Sequence, residues 1–116
     1  MKILFVENHA RFASVTAKTF LASHVVTIVP SIAAAQEALS NAAFDIILVD
    51  YDLDDGKGDA FIEAIRPDNR AFIIAISSHD EGNNRLRQAG ADVVCSKMNF
   101  SRLAEIIAAR NERTPE

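Results

Sequence analysis

Cysteine is nearly missing from these 116 residues: Cys95 stands alone, so no internal disulfide can form and the chain fits a reducing compartment. Its place inside an apolar run makes it a buried structural thiol rather than a reactive one. Tryptophan is absent, and proline and glycine number only three and four, in keeping with a chain free of repeats, linkers and low-complexity segments. No apolar run approaches the ~18 residues of a membrane span, and no basic, apolar and cleavage-site series opens the sequence. Positive charge is in deficit, 12 Lys and Arg against 16 Asp and Glu, giving a net charge of -4. With no basic block above that acidic background, a nucleic-acid backbone is a poor partner. The expectation is one soluble cytoplasmic domain with no membrane partner and no direct nucleic-acid partner.

What is present is a fivefold alternation of short apolar runs with amphipathic stretches, the pattern of βαβ units. The runs cover 2–6, 25–29, 45–49, 71–76 and 92–96, are rich in Val and Ile, and lack polar alternation, as strands buried on both faces should. A first helix is expected to turn Phe12, Val15, Thr16, Thr19 and Phe20 to one face, with His9 at its start. Ser31 is a plausible N-cap for the second helix, and Asp59 for a third that Pro67 ends. In the fourth, 79–84 is poor helix material and Arg85 to Ala89 alone reads as helical. Ser101 is expected to open the last helix. The domain is read as 1–110, followed by a polar tail over 111–116. Right-handed crossovers then give an α/β fold, a three-layer doubly wound parallel sheet with its ligand crevice at the carboxyl ends of the strands.

Those ends carry the chemistry. The first run stops at Glu7-Asn8, the third at Asp50, the fourth at Ser77-Ser78 and the fifth at Lys97. A strand-end aspartate taken alone is ordinarily a turn or cap residue. Delivered together to one crevice, the set suits making and holding a phosphoryl group. An Asp50 oxygen can attack phosphorus to form an acyl phosphate. The transferred group is strongly anionic and needs charge neutralisation above all. Nearby carboxylates can hold Mg²⁺, Lys97 can pair with a phosphate oxygen, and the Ser77 hydroxyl can bind another.

With those residues, the Gly58 spacing after Asp50 and the Gly90-Ala91-Asp92 segment before Lys97, the chain resembles the receiver domains of two-component response regulators over essentially its whole length. The resemblance implies a five-stranded flavodoxin-like sheet in the order 2-1-3-4-5. It implies phosphorylation at Asp50 by a histidine kinase or phosphotransfer protein, with output to a downstream effector. It further implies Ser77 as the switch hydroxyl, Lys97 as the phosphate-binding lysine, and Mg²⁺ held by Glu7, Asn8, Asp50 and the carbonyl of Asp52. Ser78 is counted with Ser77 and Lys97 among the phosphate-binding and switch residues, and Asp52, His79 and Val94 stand where they can modulate the switch. Such a domain is a signalling switch rather than an enzyme.

The pattern also breaks. Asn8 stands where an acid usually ligates the metal, and the missing charge is expected to weaken Mg²⁺ binding about ten- to a hundredfold. Val94 replaces a common aromatic switch residue, Met98 a proline after the lysine, and Asp54 a proline after the acceptor. The Ser77–Gly90 segment is shorter than is common. These departures leave a second reading open, a degenerate receiver that binds partners without phosphate. The acidic run 50–56 superficially suggests a calcium loop, but its glycine is one place late and Phe61 falls where a bidentate Glu is needed. A dehalogenase-type phosphatase would need further acidic ligands after Lys97, and Glu105 inside the last helix is the nearest.

Overall fold

The computed structural model describes residues 1–112, with side chains through 110. Five parallel strands form the central sheet: β1 (Lys2–Val6), β2 (Val25–Val29), β3 (Ile46–Val49), β6 (Phe72–Ala75) and β7 (Val93–Val94), in the order β2-β1-β3-β6-β7. A second, antiparallel pair, β4 (Asp52–Leu53) and β5 (Gly56–Lys57), makes a small hairpin directly after β3. The five helices are α1 (Ala10–Phe20), α2 (Ile32–Asn41), α3 (Gly58–Ile65), α4 (Asp80–Ala89) and α5 (Leu103–Glu112).

Alternation along the strands divides the core in two. Leu4, Val6, Ile47, Val49, Ile73 and Ala75 meet α2, α3 and α4, where Ala35, Phe61, Ile62 and Leu86 are buried. Ile3, Phe5, Ile46, Leu48, Ile74 and Ile76 meet α1, α5 and the turn before α5 through Ala13, Leu103, Ile107 and Phe100. The middle strands β1 and β3 are therefore covered on both faces, as their unbroken apolar runs require.

The edge strand β2 departs from that expectation. Val25 is 66% exposed and Ile28 38%, because β2 has one strand neighbour and incomplete helix cover. In α1 the inward residues are Ala13 and Thr16, flanked by half-buried Phe12 and Phe20, whereas Val15 is 56% exposed. The helix is rotated relative to its expected face because Phe12 and Phe20 both pack on Phe100.

Helix starts differ in the same way. Ser31 does cap α2, its hydroxyl accepting from Ala34 N–H. Asp59 does not cap α3: it lies in the first turn, and Lys57 occupies the cap position. α3 ends at Ile65, and Pro67 lies in the 3-10 turn that follows. α4 begins at Asp80, five residues before the stretch expected to be helical. Ser101 lies inside 3-10 turns spanning Lys97–Arg102, which Ser96 opens by accepting from Met98 N–H. α5 runs on through Asn111 and Glu112, into the stretch read as a polar tail, and 113–116 lie outside the described residues. Cys95 is buried, 3% exposed, and burial pushes its thiol above the usual range.

The pole opposite the strands' carboxyl ends is stitched by one side chain. Arg66 donates to the carbonyls of Gly90, Asn69 and Ala71 and to the Asp92 carboxylate, which also accepts from Ile73 N–H. Three segments thus share one guanidinium, whose fork geometry suits several acceptors at once. Arg66→Ala is expected to cost about 2 kcal/mol, lowering the melting temperature by roughly 10 °C. A melting point unchanged by thermal denaturation would refute this.

Candidate functional site

Parallel register sets the site. Val6 pairs with Val49, and Val49 with Ala75, so the residues just past β1, β3 and β6 emerge side by side. Asp50 N–H donates to Val6 carbonyl and Ile76 N–H to Val49 carbonyl, which extends the ladder into the loops. Glu7 is 1% exposed, Asp50 6% and Ser77 3%, a degree of burial unusual for groups of this polarity.

Lys97 answers the two carboxylates. Its Nζ lies 2.6 Å from Glu7 Oε1 and 3.1 Å from Asp50 Oδ2. The ammonium also sits 4.8 Å from the centre of the Phe12 ring, so α1 supplies a wall that holds the cation over the carboxylates. Asp50 Oδ1 accepts from Tyr51 N–H at 2.8 Å, and Glu7 Oε2 accepts from His9 N–H at 3.1 Å. His9 occupies the α1 cap position without a side-chain cap bond. Burial pushes the Glu7 carboxyl above its usual range; the nearby Asp50 charge adds to this, while Lys97 and the His9 N–H oppose it.

A divalent ion fits this donor set. Among the described residues no three carboxylate, imidazole or thiolate groups cluster to hold a metal, so Glu7 and Asp50 would be completed by neutral oxygens. Asn8 offers one: its Oδ1 is buried and has no hydrogen-bond partner among the described residues. An unpaired buried carbonyl oxygen on the residue that follows Glu7 is suited to a hard cation with oxygen ligands.

The other residues singled out in the sequence scatter around this centre. Ser77 lies at the same edge, its Oγ accepting from His79 N–H at 3.1 Å. Ser78 and His79 are exposed, and Val94 is half-buried against the core. The Asp52 carboxylate does not join the centre; it forms an ion pair with Lys57 across the hairpin. Lys57 also lies 5.2 Å from the Tyr51 ring centre. The acidic run once suggestive of a calcium loop is thus this hairpin, and Asp55 within it accepts from Ile32 N–H and Ala33 N–H at the start of α2. Those two bonds hold the Asp55 carboxyl below its usual range.

Two residues at the site carry no recognisable mark in the sequence. Asn83, 3% exposed, bonds to both backbone groups of Ser77. Gly82 is buried so tightly that a Cβ there would stand 2.8 Å from Ser77 Oγ and 3.1 Å from Tyr51 Cβ. In the sequence both fall in a polar stretch that reads as loop, and the contacts that define them come from outside it.

A doubly wound parallel sheet with acid, hydroxyl and ammonium groups gathered at its carboxyl edge is a flavodoxin-like fold with a polar site at the usual ligand edge. The family model for the response regulator receiver domain matches residues 3–108, and the chain belongs to that family, the receivers of two-component systems. Solved structures agree on the fold. A two-component response regulator from Clostridium difficile is 19% identical, with a TM-score of 0.90 over 100% of this chain and 99% of that one. The receiver domain of Francisella response regulator 1452 is 18% identical, with a TM-score of 0.86 and 98% of each chain covered. A CheY-like receiver domain protein from Methanospirillum hungatei JF-1 is 22% identical, with a TM-score of 0.83 over 96% of this chain and 93% of that one. No curated protein sequence matches the chain. Among the described residues no helix is long and apolar enough to cross a membrane.

Proposed function

We propose that this receiver domain is a phosphoryl-accepting switch, charged at Asp50 by a phosphohistidine on a histidine kinase or phosphotransfer protein and read by a downstream effector. The observation that carries this reading is Lys97 Nζ bridging two buried carboxylates from different strands, Glu7 and Asp50. A carboxylate held against an ammonium and shielded from water is prepared for a reaction that brings in more negative charge. An Asp50 oxygen bonds to phosphorus as the phosphorus–nitrogen bond of the donor breaks, and the electron pair leaves on the imidazole. Lys97, already within 3.1 Å of Asp50, then neutralises the phosphoryl oxygens, and the Ser77 hydroxyl, just past β6 at the same sheet edge, donates to another. Glu7, Asn8 and Asp50, with the main-chain carbonyl of Asp52, would hold Mg²⁺, which when bound offsets the charge on the incoming phosphoryl group. Asn8 in place of an acid makes that affinity lower. Asp52, His79 and Val94 act as modulators, with Asp52 held in its ion pair with Lys57.

A single experiment separates this from a phosphate-independent interaction module. Incubation with acetyl phosphate is expected to add the mass of one phosphoryl group to the intact chain, only with Mg²⁺ present and only while Asp50 is intact. Asp50→Asn is expected to abolish the gain. No gain in the parent at high metal, or an equal gain in Asp50→Asn, would overturn the proposal.

A further inference from the structure

Asn83 is a carboxamide buried in the first turns of α4, and both ends of its amide are engaged by one residue. Oδ1 accepts from Ser77 N–H at 2.9 Å, and Nδ2 donates to Ser77 carbonyl at 2.8 Å. The side chain therefore pairs with Ser77 as the peptide of a further strand would, beyond the end of β6. The bonds close a circuit. Ser77 Oγ accepts from His79 N–H at 3.1 Å, and His79 carbonyl accepts from Asn83 N–H at 3.1 Å. Lys97 N–H also donates to Ser77 carbonyl, at 3.3 Å. Gly82 fills the remaining space, since its Cα carries no atom that would strike Ser77 Oγ or Tyr51.

Moving Ser77 alone would strand a buried N–H and leave the Asn83 amide unpaired, which is costly in a low-dielectric interior. Moving Ser77 together with the first turn of α4 keeps the bonds that join it to Asn83 and His79 and gives up the longer one from Lys97 N–H. We infer that Asn83 is the positioning residue of the switch, making Ser77 and the first turn of α4 one rigid unit that moves when Ser77 Oγ turns to a phosphoryl group on Asp50. This rests on the reading of Asp50 as the phosphoryl acceptor.

The test is residue-resolved amide hydrogen exchange on the parent, Asn83→Ala and Asn83→Asp, each with and without beryllofluoride and Mg²⁺ as the phosphoryl mimic. In the parent, beryllofluoride is expected to change exchange at Ser77 and across the first turn of α4 together. In Asn83→Ala it is expected to bind about tenfold more weakly, the loss of roughly one good hydrogen bond, and to leave α4 unchanged. An α4 response in Asn83→Ala equal to the parent's, at equal affinity, would overturn the inference. If the parent binds no beryllofluoride at all, the phosphoryl reading has failed and the unit is judged at rest. There, Asn83→Ala is expected to speed exchange at Ser77 and the α4 first turn together. Asn83→Asp, which keeps the acceptor for Ser77 N–H, is expected to restore protection at Ser77. Faster exchange in α4 with Ser77 unchanged in Asn83→Ala would overturn the inference on those grounds alone.

Discussion

Gly58→Ala is expected to be the most damaging single-methyl addition in this domain. A Cβ at that position would stand 2.1 Å from the main-chain carbonyl oxygen of Asp50 and 3.0 Å from Leu86 Cδ2 and Val49 Cγ1. A flexible side chain can swing away from such a contact, but a carbonyl at the end of a central strand cannot. Gly58 N–H also donates to Tyr51 carbonyl at 2.7 Å, so α3 starts directly against the loop that follows Asp50. Relief requires either backing α3 off its Phe61 and Ile62 contacts or turning the Asp50 peptide. Overpacking of this kind is expected to cost about 3 kcal/mol or more, a large part of a typical domain's stability. The surviving folded fraction should take phosphoryl from acetyl phosphate more slowly than the parent, because the turn displaces Asp50. Urea denaturation and intact-mass labelling check both; a variant with parental midpoint and parental labelling would show that the helix start has slack.

Lys97→Ala comes second. Its removal leaves Glu7 and Asp50 facing each other, 1% and 6% exposed, with no ammonium between them. Breaking a buried ion pair from one side costs about 3–5 kcal/mol, and the partial openness of this crevice puts the expected loss at about 3 kcal/mol. Phosphoryl acceptance is expected to fall about a hundredfold or more, as when a preorganised donor is lost from a charged transition state. The loss should depend on pH. Lys97 is the leading influence opposing burial at Glu7, so without it the Glu7 carboxyl rises further. A folded pKa raised above the unfolded one gives stability that is present in acid and lost as pH rises through the folded value. The variant should therefore lie closest to the parent in mild acid and furthest from it at neutral pH. Mg²⁺ should stabilise it more than the parent by replacing the missing positive charge. Denaturation midpoints across pH, with and without Mg²⁺, provide the check; a penalty independent of both would mean the lysine acts through packing on Phe12 alone.

What could be read in the sequence follows from the range of the interactions involved. The unbroken apolar runs of β1 and β3 report burial on both faces, and their terminal residues, Glu7 and Asp50, are carried to the crevice by register alone. Lys97 arrives there by the same logic. Ser31 caps α2 through a bond three residues long, which local chemistry suffices to find. The rest is set at a distance. Val15 faces solvent because Phe12 and Phe20 close on Phe100. β2 keeps Val25 and Ile28 exposed because it is an edge, which its Val-rich composition cannot disclose. The α4 start at Asp80 overrides weak local propensity: the packing of Gly82 against Tyr51 and the Asn83 pairing with Ser77 fix residues that alone prefer turns. The β4–β5 hairpin was hidden because its strands are two residues each, too short for any periodicity.

Asp55 reaches 22 and 23 residues back along the chain to hold the N–H groups of Ala33 and Ile32, and so moors the hairpin after Asp50 to α2. On its other flank the same loop meets α4 through Tyr51 resting on Gly82, a contact of shape without a hydrogen bond of its own. A displacement toward α2 would strip acceptors from a helix start, whereas a displacement toward α4 slides a ring over a glycine. The loop is thus held unequally on its two sides, by hydrogen bonds at the start of α2 and by ring-on-glycine packing at α4.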